Sequence, residues 1–256
     1  MQSRPWDRGR GDGSPVSAVP VKALVEDGFY PAVLDLFGAA APGRILDVPA
    51  GYGAFAQLLM QRGYADIDCL DIILAAGFQL SGVNYRQYDA THPLPYADAS
   101  FDYVFSLEGI EHFEAPFPFV RELCRVLKPG GKLYLSTPNT FSVDARIKYL
   151  LSGYFPRFRP LMLEPGKVMQ QQVDDAHISP IYFWQLNYFL MDSGVAIRRV
   201  STHAIRRASN PPRRWLENAI AALIRSNIRR RGFPDLGVTS EAMLFGDSLI
   251  LEGVKS

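Results

Sequence analysis

Ile45, Leu46 and Val48 form a short apolar run, and a turn bearing Gly51 and Gly53 follows it. Ala54-Phe-Ala-Gln-Leu-Leu-Met then takes up helical spacing, so residues 44–62 read as a strand, a glycine turn and a helix N-terminus. Apolar runs at 66–71, 84–88, 101–106 and 132–137 predict four further strands, and 53–62 and 112–127 predict helices. In the second helix Phe117, Val120, Leu123, Cys124 and Leu127 lie along one side, and Lys128-Pro-Gly-Gly ends it. This alternation predicts a mostly parallel sheet with helices on both faces. The connection from Asp71 to Tyr85 is tight for a crossover, so its helix must be short. Beyond Pro138 the pattern predicts helices at 141–152, 180–192 and 212–231, strands at 195–203 and 242–252, and an aromatic, proline-rich excursion at 153–180. Residues 21–40 read as one or two lead-in helices, and residues 1–20, rich in Gly, Pro, Arg and Ser, as a disordered tail. Residues 21–256 then form a single domain.

Composition narrows the partners. The chain has 256 residues, 48% hydrophobic and 21% charged, with a formal net charge of +1. Such a balance exerts no bulk pull on nucleic acid, and no nucleic-acid partner is expected. Cys69 and Cys124 sit singly in apolar runs and read as buried core thiols. No run of about 18 apolar residues predicts a spanning helix, and the N-terminus lacks the apolar stretch of a signal peptide. The cytoplasm is the expected location. Residues 212–231 form a basic amphipathic helix, which reads either as a packed helix with a solvated basic face or as a dock for an anionic membrane or a phosphate-bearing acceptor.

The glycine turn has three readings. Gly51-Tyr-Gly53-Ala-Phe-Ala56 fits a dinucleotide fingerprint, with Asp71 twenty residues beyond Gly51. Asp47 opposes that fit, because a carboxylate at the strand end repels a pyrophosphate. A ligand with an ammonium and no phosphate welcomes it, and S-adenosylmethionine, which adds a sulfonium, is such a ligand. The third reading is a turn whose glycines serve packing alone. On the favoured reading Asp47, Pro49, Ala50, Gly51, Tyr52 and Gly53 hold the methionine end. Asp71, with Ile72 beside it, accepts the ribose hydroxyls at the carboxyl edge of the sheet. Asp68 points the other way by strand parity. Asp89 accepts the adenine amino group while the Ala90 N–H meets a ring nitrogen, and Leu107-Glu108 lies beside the sulfonium.

Several ordered blocks now resemble class I S-adenosylmethionine-dependent methyltransferases: Ile45-Leu-Asp-Val-Pro-Ala-Gly-Tyr-Gly53, the acidic Asp71, Asp89-Ala-Thr-His-Pro-Leu-Pro-Tyr96, Phe101-Asp-Tyr-Val-Phe-Ser-Leu-Glu-Gly-Ile-Glu-His112 and Glu122-Leu-Cys-Arg-Val-Leu-Lys-Pro-Gly-Gly-Lys-Leu-Tyr-Leu-Ser-Thr-Pro-Asn139. The resemblance covers about residues 40–140. It implies an α/β, Rossmann-like, doubly wound sheet of seven strands, mostly parallel with an antiparallel last strand, carrying the donor at its carboxyl edge. One departure stands out: Pro49 occupies a position where the family usually has glycine, removing an N–H and fixing φ.

The implied reaction is in-line transfer of the sulfonium methyl group to a small-molecule, lipid-linked or glycan acceptor, most often at oxygen. A hydroxyl acceptor gains from a general base; His112 is the candidate, with Glu111 orienting it. Glu108, Glu111 and His112, with His177 as a fourth group, also resemble the metal-binding version of this motif in RNA 2′-O-methyltransferases and some quinone O-methyltransferases, although the favoured reading uses no metal. Residues 141–192 read as an aromatic substrate cap. The rival functions are a donor-binding regulatory module without catalysis, suggested by Pro49 and the short second crossover, and an NAD-binding protein.

Overall fold

The computed structural model describes residues 20–158, 177–232 and 236–256. The expected tail at 1–20, apart from Pro20, and residues 159–176 of the expected excursion, with Asp174 and Asp175, lie outside the described residues. Seven strands form one sheet: β1 (Ile45–Asp47), β2 (Ile67–Asp71), β3 (Asn84–Gln87), β4 (Phe101–Ser106), β5 (Leu127–Pro138), β6 (Val195–Ser201) and β7 (Ser248–Lys255). Their order is β3-β2-β1-β4-β5-β7-β6. The first five strands pair in parallel, and β7 runs antiparallel to both β5 and β6. The doubly wound, seven-stranded α/β architecture with an antiparallel last strand is therefore present.

Strand parity distributes the core between two faces, because successive side chains point to opposite sides. Ile45, Ile67, Cys69, Phe105, Tyr134 and Ile250 face α1 (Phe29–Phe37) and α2 (Ala54–Gln61). Their neighbours Leu46, Leu70, Val104, Leu133, Leu135, Leu249 and Leu251 face α3 (Pro116–Val126) and α5 (Phe183–Asp192). Both cysteines are free and buried, one in each layer. On the first face Phe37 stands edge-on to Phe105 and Tyr134, which stack on each other at 4.8 Å.

Two boundaries differ from the sequence expectation, and the second crossover agrees with it. The helix expected at 112–127 begins at Pro116, a residue suited to a first helical turn, while Ile110–His112 forms a separate 3₁₀ turn. The strand expected at 242–252 is displaced: the Ser240 side chain accepts the Met243 N–H and nucleates a short helix α7 (Glu241–Phe245), so β7 starts at Ser248. The second crossover holds only a 3₁₀ turn, Ala75–Gly77, as its length demanded. The described part of the stretch expected as a cap, 141–192, divides between two helices. Helix α4 (Val143–Ser152) lies beyond the sheet edge, but α5 buries Phe183, Leu186 and Leu190 in the main core and delivers the chain to β6.

The basic helix, α6 (Pro211–Arg231), also departs from a simple amphipathic pattern. Ala221 and Glu217 are its buried residues; the Glu217 carboxylate accepts the Ala208 N–H at 3.0 Å. Trp215 and Leu223, expected on the packed stripe, are 72% and 70% exposed. Ile220 and Ile224 make the packing contact, against Val143, Leu244 and Phe245. No helix among the described residues is long and apolar enough to cross a membrane.

Truncating Phe37 to alanine removes the ring that joins α1 to Phe105 and Tyr134, and is expected to cost about 3–5 kcal/mol. Urea unfolding followed by circular dichroism measures this; a loss below about 1 kcal/mol would mean that the ring contributes little to the core.

Candidate active site

The parallel strands end together at one edge of the sheet, where their connecting loops gather. Here Asp47 closes β1 with 1% of its surface exposed, and its Oδ2 has no hydrogen-bond partner. Burial pushes its pKa well above the usual carboxylate range, and the neighbouring Asp71 adds to that push. An unpartnered, buried carboxyl oxygen at a ligand-sized turn is costly unless a cation or donor completes it.

The turn itself is braced internally. Gly51 and Gly53 adopt φ of 57° and 96°, in the left-handed region where glycine carries no Cβ penalty. A Cβ on Gly53 would stand 2.8 Å from Leu80 and Phe78, so space forbids it as well. The Gly51 N–H donates to Asp71 Oδ2 at 2.7 Å, and the Ile73 N–H donates to Asp71 Oδ1 at 3.0 Å. The Ala50 N–H donates to Leu70 O and the Gly53 N–H to Ala50 O. Three backbone donors that the sequence assigns to a ligand are therefore spent within the protein. The start of α2 remains, since Gly53 at its N-cap has no side chain to cover the first-turn N–H groups. Tyr52 is half-buried, with Lys22 over its ring at 5.9 Å. The Val48–Pro49 peptide is cis, and a Cβ on Gly109 would lie 2.4 Å from the Pro49 ring.

The other expected donor contacts fall along the same edge. Asp71 is buried and Ile72, next to it, is 61% exposed. Asp68 points to the opposite face and pairs with Arg44 at 3.0 Å. Asp89 is outermost; its Oδ1 accepts the Thr91 N–H and hydroxyl, and these bonds hold its pKa below the usual range. Ala90 packs against the main core, and Leu107 is buried at the end of β4.

Beyond β4 the backbone turns sharply, with Glu108 at φ 45°, a conformation that side chains adopt at a cost. Glu108 is held by a polar ring. Its N–H donates to Ser136 Oγ, and its carboxylate accepts the hydroxyls of Ser136 and Ser248 and stands 3.3 Å from Arg157. Burial nevertheless pushes its pKa up to about 7, against the pull of Arg157 and the serines. Arg157 also pairs with Asp247 at 2.6 Å and Glu26 at 2.9 Å, tying the segment before α1 to the loop after β4. The sequence reading missed Ser136, Ser248, Arg157, Asp247 and Glu26. They meet only through the fold, although the serines stand at the facing ends of β5 and β7.

Glu111, His112 and His177 converge, with one ligand atom from each lying within 4.8 Å of the others. Glu111 is fully buried, and neither carboxyl oxygen has a hydrogen bond. Burial, then the nearby Glu108, raises its pKa well above the usual range. Its Oε1 lies 4.0 Å from His177 Nε2, and its backbone carbonyl accepts the N–H groups of Ile178 and Ser179. The structure thus sets Glu111 beside His177 as well as His112, whose ring meets His177 edge-on at 4.8 Å. Glu108 is engaged with Arg157 instead of joining this trio.

Comparison with known proteins bears on this edge. Residues 46–135 match the family model described as a methyltransferase domain. A ubiquinone biosynthesis O-methyltransferase of Xanthomonas oryzae pv. oryzae is 31% identical over 169 residues, covering 62% of this chain and 66% of the relative, just under two thirds of it. One of the same description from Pseudomonas aeruginosa is 32% identical over 113 residues, 41% of this chain and 49% of the relative. Among solved structures, an S-adenosylmethionine-dependent methyltransferase from Mesorhizobium loti aligns with a TM-score of 0.51 at 17% identity, covering 88% of this chain and 96% of that one. A putative methyltransferase from Bacillus halodurans aligns with a TM-score of 0.54 at 18% identity, covering 88% and 98%. Residues 46–135 are thus similar to a methyltransferase domain, and the whole sheet shares its fold with methyltransferases of known structure.

Because the Pro49 ring fills the space beside Gly109, Gly109→Ala is expected to destabilise the protein by roughly 1–3 kcal/mol. In a double-mutant cycle read by urea unfolding, adding Pro49→Gly restores part of that loss. Additive losses would show that the two residues do not press on each other.

Proposed function

We propose that this chain transfers a methyl group from S-adenosylmethionine to an oxygen atom of a small-molecule, lipid-linked or glycan acceptor. The observation that carries the reading is the buried, unpartnered Asp47 oxygen beside a glycine turn and a bare helix N-terminus: a place for an ammonium, with backbone donors nearby for a carboxylate. The same carboxylate disfavours a dinucleotide pyrophosphate. The names of the Xanthomonas and Pseudomonas relatives support oxygen as the acceptor atom.

When bound, the donor supplies an electrophilic methyl group on a sulfonium. Asp47 meets its ammonium, while Asp71, already fixed by two backbone N–H groups, uses remaining lone pairs for ribose hydroxyls, with Ile72 alongside. Asp89 and Ala90 flank the adenine, and Leu107 and Glu108 border the reacting centre. His112 takes the acceptor proton, with Glu111 and His177 positioning it. The remaining contribution is alignment and exclusion of water.

A second reading has its own observation, the convergence of Glu111, His112 and His177 around two unpartnered carboxyl oxygens. These residues suit a divalent cation, which would lower the pKa of an acceptor hydroxyl. Activity that vanishes in chelator and returns with added metal supports it; full activity in chelator removes it and leaves His112 as the base. The expected location is cytoplasmic, with peripheral contact between α6 and anionic lipid, supported by exposed Trp215 and Leu223 beside Arg214, Arg229 and Arg230.

The test of the main reading is calorimetric titration with S-adenosylhomocysteine beside turnover on a panel of hydroxylated acceptors. Binding together with methylation is the expected result; saturation by NADH without competition from the thioether overturns it. Asp47→Asn is expected to weaken the thioether at least about tenfold, since it removes the ammonium's counter-charge. It is also expected to stabilise the free chain at high pH. The raised pKa means that folded Asp47 holds its proton longer than the unfolded chain does. Stability therefore falls as pH climbs from the ordinary carboxylate range through the folded value. Asparagine flattens that fall, and thermal unfolding across pH 4–9 reads it.

A further inference from the structure

A cavity of about 830 Å³ lies between α4, α6 and residues 180–184, away from the glycine turn and from Asp71 and Asp89. That volume is within the roughly 300–1,000 Å³ of ordinary ligand pockets. Its walls are mostly apolar, with Phe155, Ile181, Trp184, Ile224, Ile228 and Val238 among them. Among its polar lining groups, the Thr140 hydroxyl is spent on Ile181 O at 2.7 Å. An apolar wall of this kind gains from covering by hydrocarbon.

One charged group stands among the lining residues. Arg146 stands at the rim, its Nε donating to Phe141 O at 2.9 Å and its guanidinium 5.1 Å from the Phe141 ring centre. Among the described residues it has no carboxylate partner, whereas nearby Asp144 is taken by Lys148 and Arg213. Partial desolvation lowers its pKa, although the side chain still reaches the surface. The cavity also adjoins the site. Residues 177–184 run from His177 to Trp184, and Phe158, three residues past the lining Phe155, lies 5.5 Å from the His177 ring.

We propose that this cavity holds the hydrocarbon chain of an acid-headed amphiphile, with Arg146 meeting the acid group. This narrows the acceptor to the lipid-linked class; that assignment rests on the methyl-transfer reading, while the binding site does not. The charge and the apolar wall are complementary to the two ends of one molecule. A neutral glycan would leave the wall wet and the guanidinium unpaired.

The full chain is titrated with 11-dansylaminoundecanoic acid, followed by its emission, with dodecyl phosphate and 1-dodecanol as competitors below their aggregation limits. Saturable enhancement is expected, with dodecyl phosphate displacing the probe about tenfold more strongly than dodecanol. Arg146→Gln, at an exposed position, removes that preference and leaves dodecanol unchanged. Ile228→Glu abolishes both. S-adenosylhomocysteine binding, measured by calorimetry, stays unchanged in both variants, which reports their folding. No saturable enhancement, a preference that survives Arg146→Gln, or a response to anionic vesicles but not to monomeric amphiphile overturns the proposal. Amphiphile binding in a chain that never binds the thioether keeps the cavity and sinks the methyl-transfer reading instead.

Discussion

The bond from the Gly51 N–H to the Asp71 carboxylate holds the donor edge in shape. It ties the turn after β1 to the end of β2, and Asp71's second oxygen fixes the backbone at Ile73. Charge-assisted bonds of this kind are stronger and shorter than neutral ones. With the turn fixed from within, Asp47 keeps a buried oxygen without a partner. The turn therefore does not depend on Asp47 for its shape, and that carboxyl oxygen stays available.

A second polar seam runs on the acceptor side. Arg157 gathers Glu26, Asp247 and Glu108, and the serines of β5 and β7 complete the shell around Glu108. These contacts join the segment before α1, the end of β4, the start of β7 and the chain beyond α4. Burial drives the Glu108 carboxyl towards neutrality while Arg157 opposes that drive. Beside it, Glu111 is wholly buried without a direct ion pair to Arg157, and burial and then Glu108 raise its pKa more than the distant Arg157 lowers it. Two carboxyl groups of one short loop are thus placed in different environments, a separation that lets them serve different roles.

Two packing layers meet the sheet through strict alternation. Ile45 and Leu46, Cys69 and Leu70, and Val104 and Phe105 send neighbouring side chains to opposite faces. A shift of one residue in any of these short strands would exchange the faces and mismatch both packed layers. That constraint also aims Asp47 and Asp71 to one side and Asp68 to the other, where it meets Arg44.

Local chemistry made much of this legible in the chain alone. Short apolar runs marked the five parallel strands, paired glycines marked the turn at 51–53, and Lys128-Pro-Gly-Gly marked the end of α3, because each depends on neighbours within a few residues. The acidic strand ends at Asp47 and Asp71 were legible for the same reason. The start of α3 at Pro116 was misplaced and α7 at Glu241 was read as strand, because capping and 3₁₀ turns compete with periodicity over only three or four residues. Only the tertiary structure decided that Asp71 spends its oxygens on the turn, that Glu111 faces His177, that α5 is core and that Trp215 is exposed. It alone brought Glu26, Arg157 and Asp247 together. Those outcomes depend on contacts between residues far apart in the chain, and no pattern along the sequence encodes which distant carboxylate an arginine will meet.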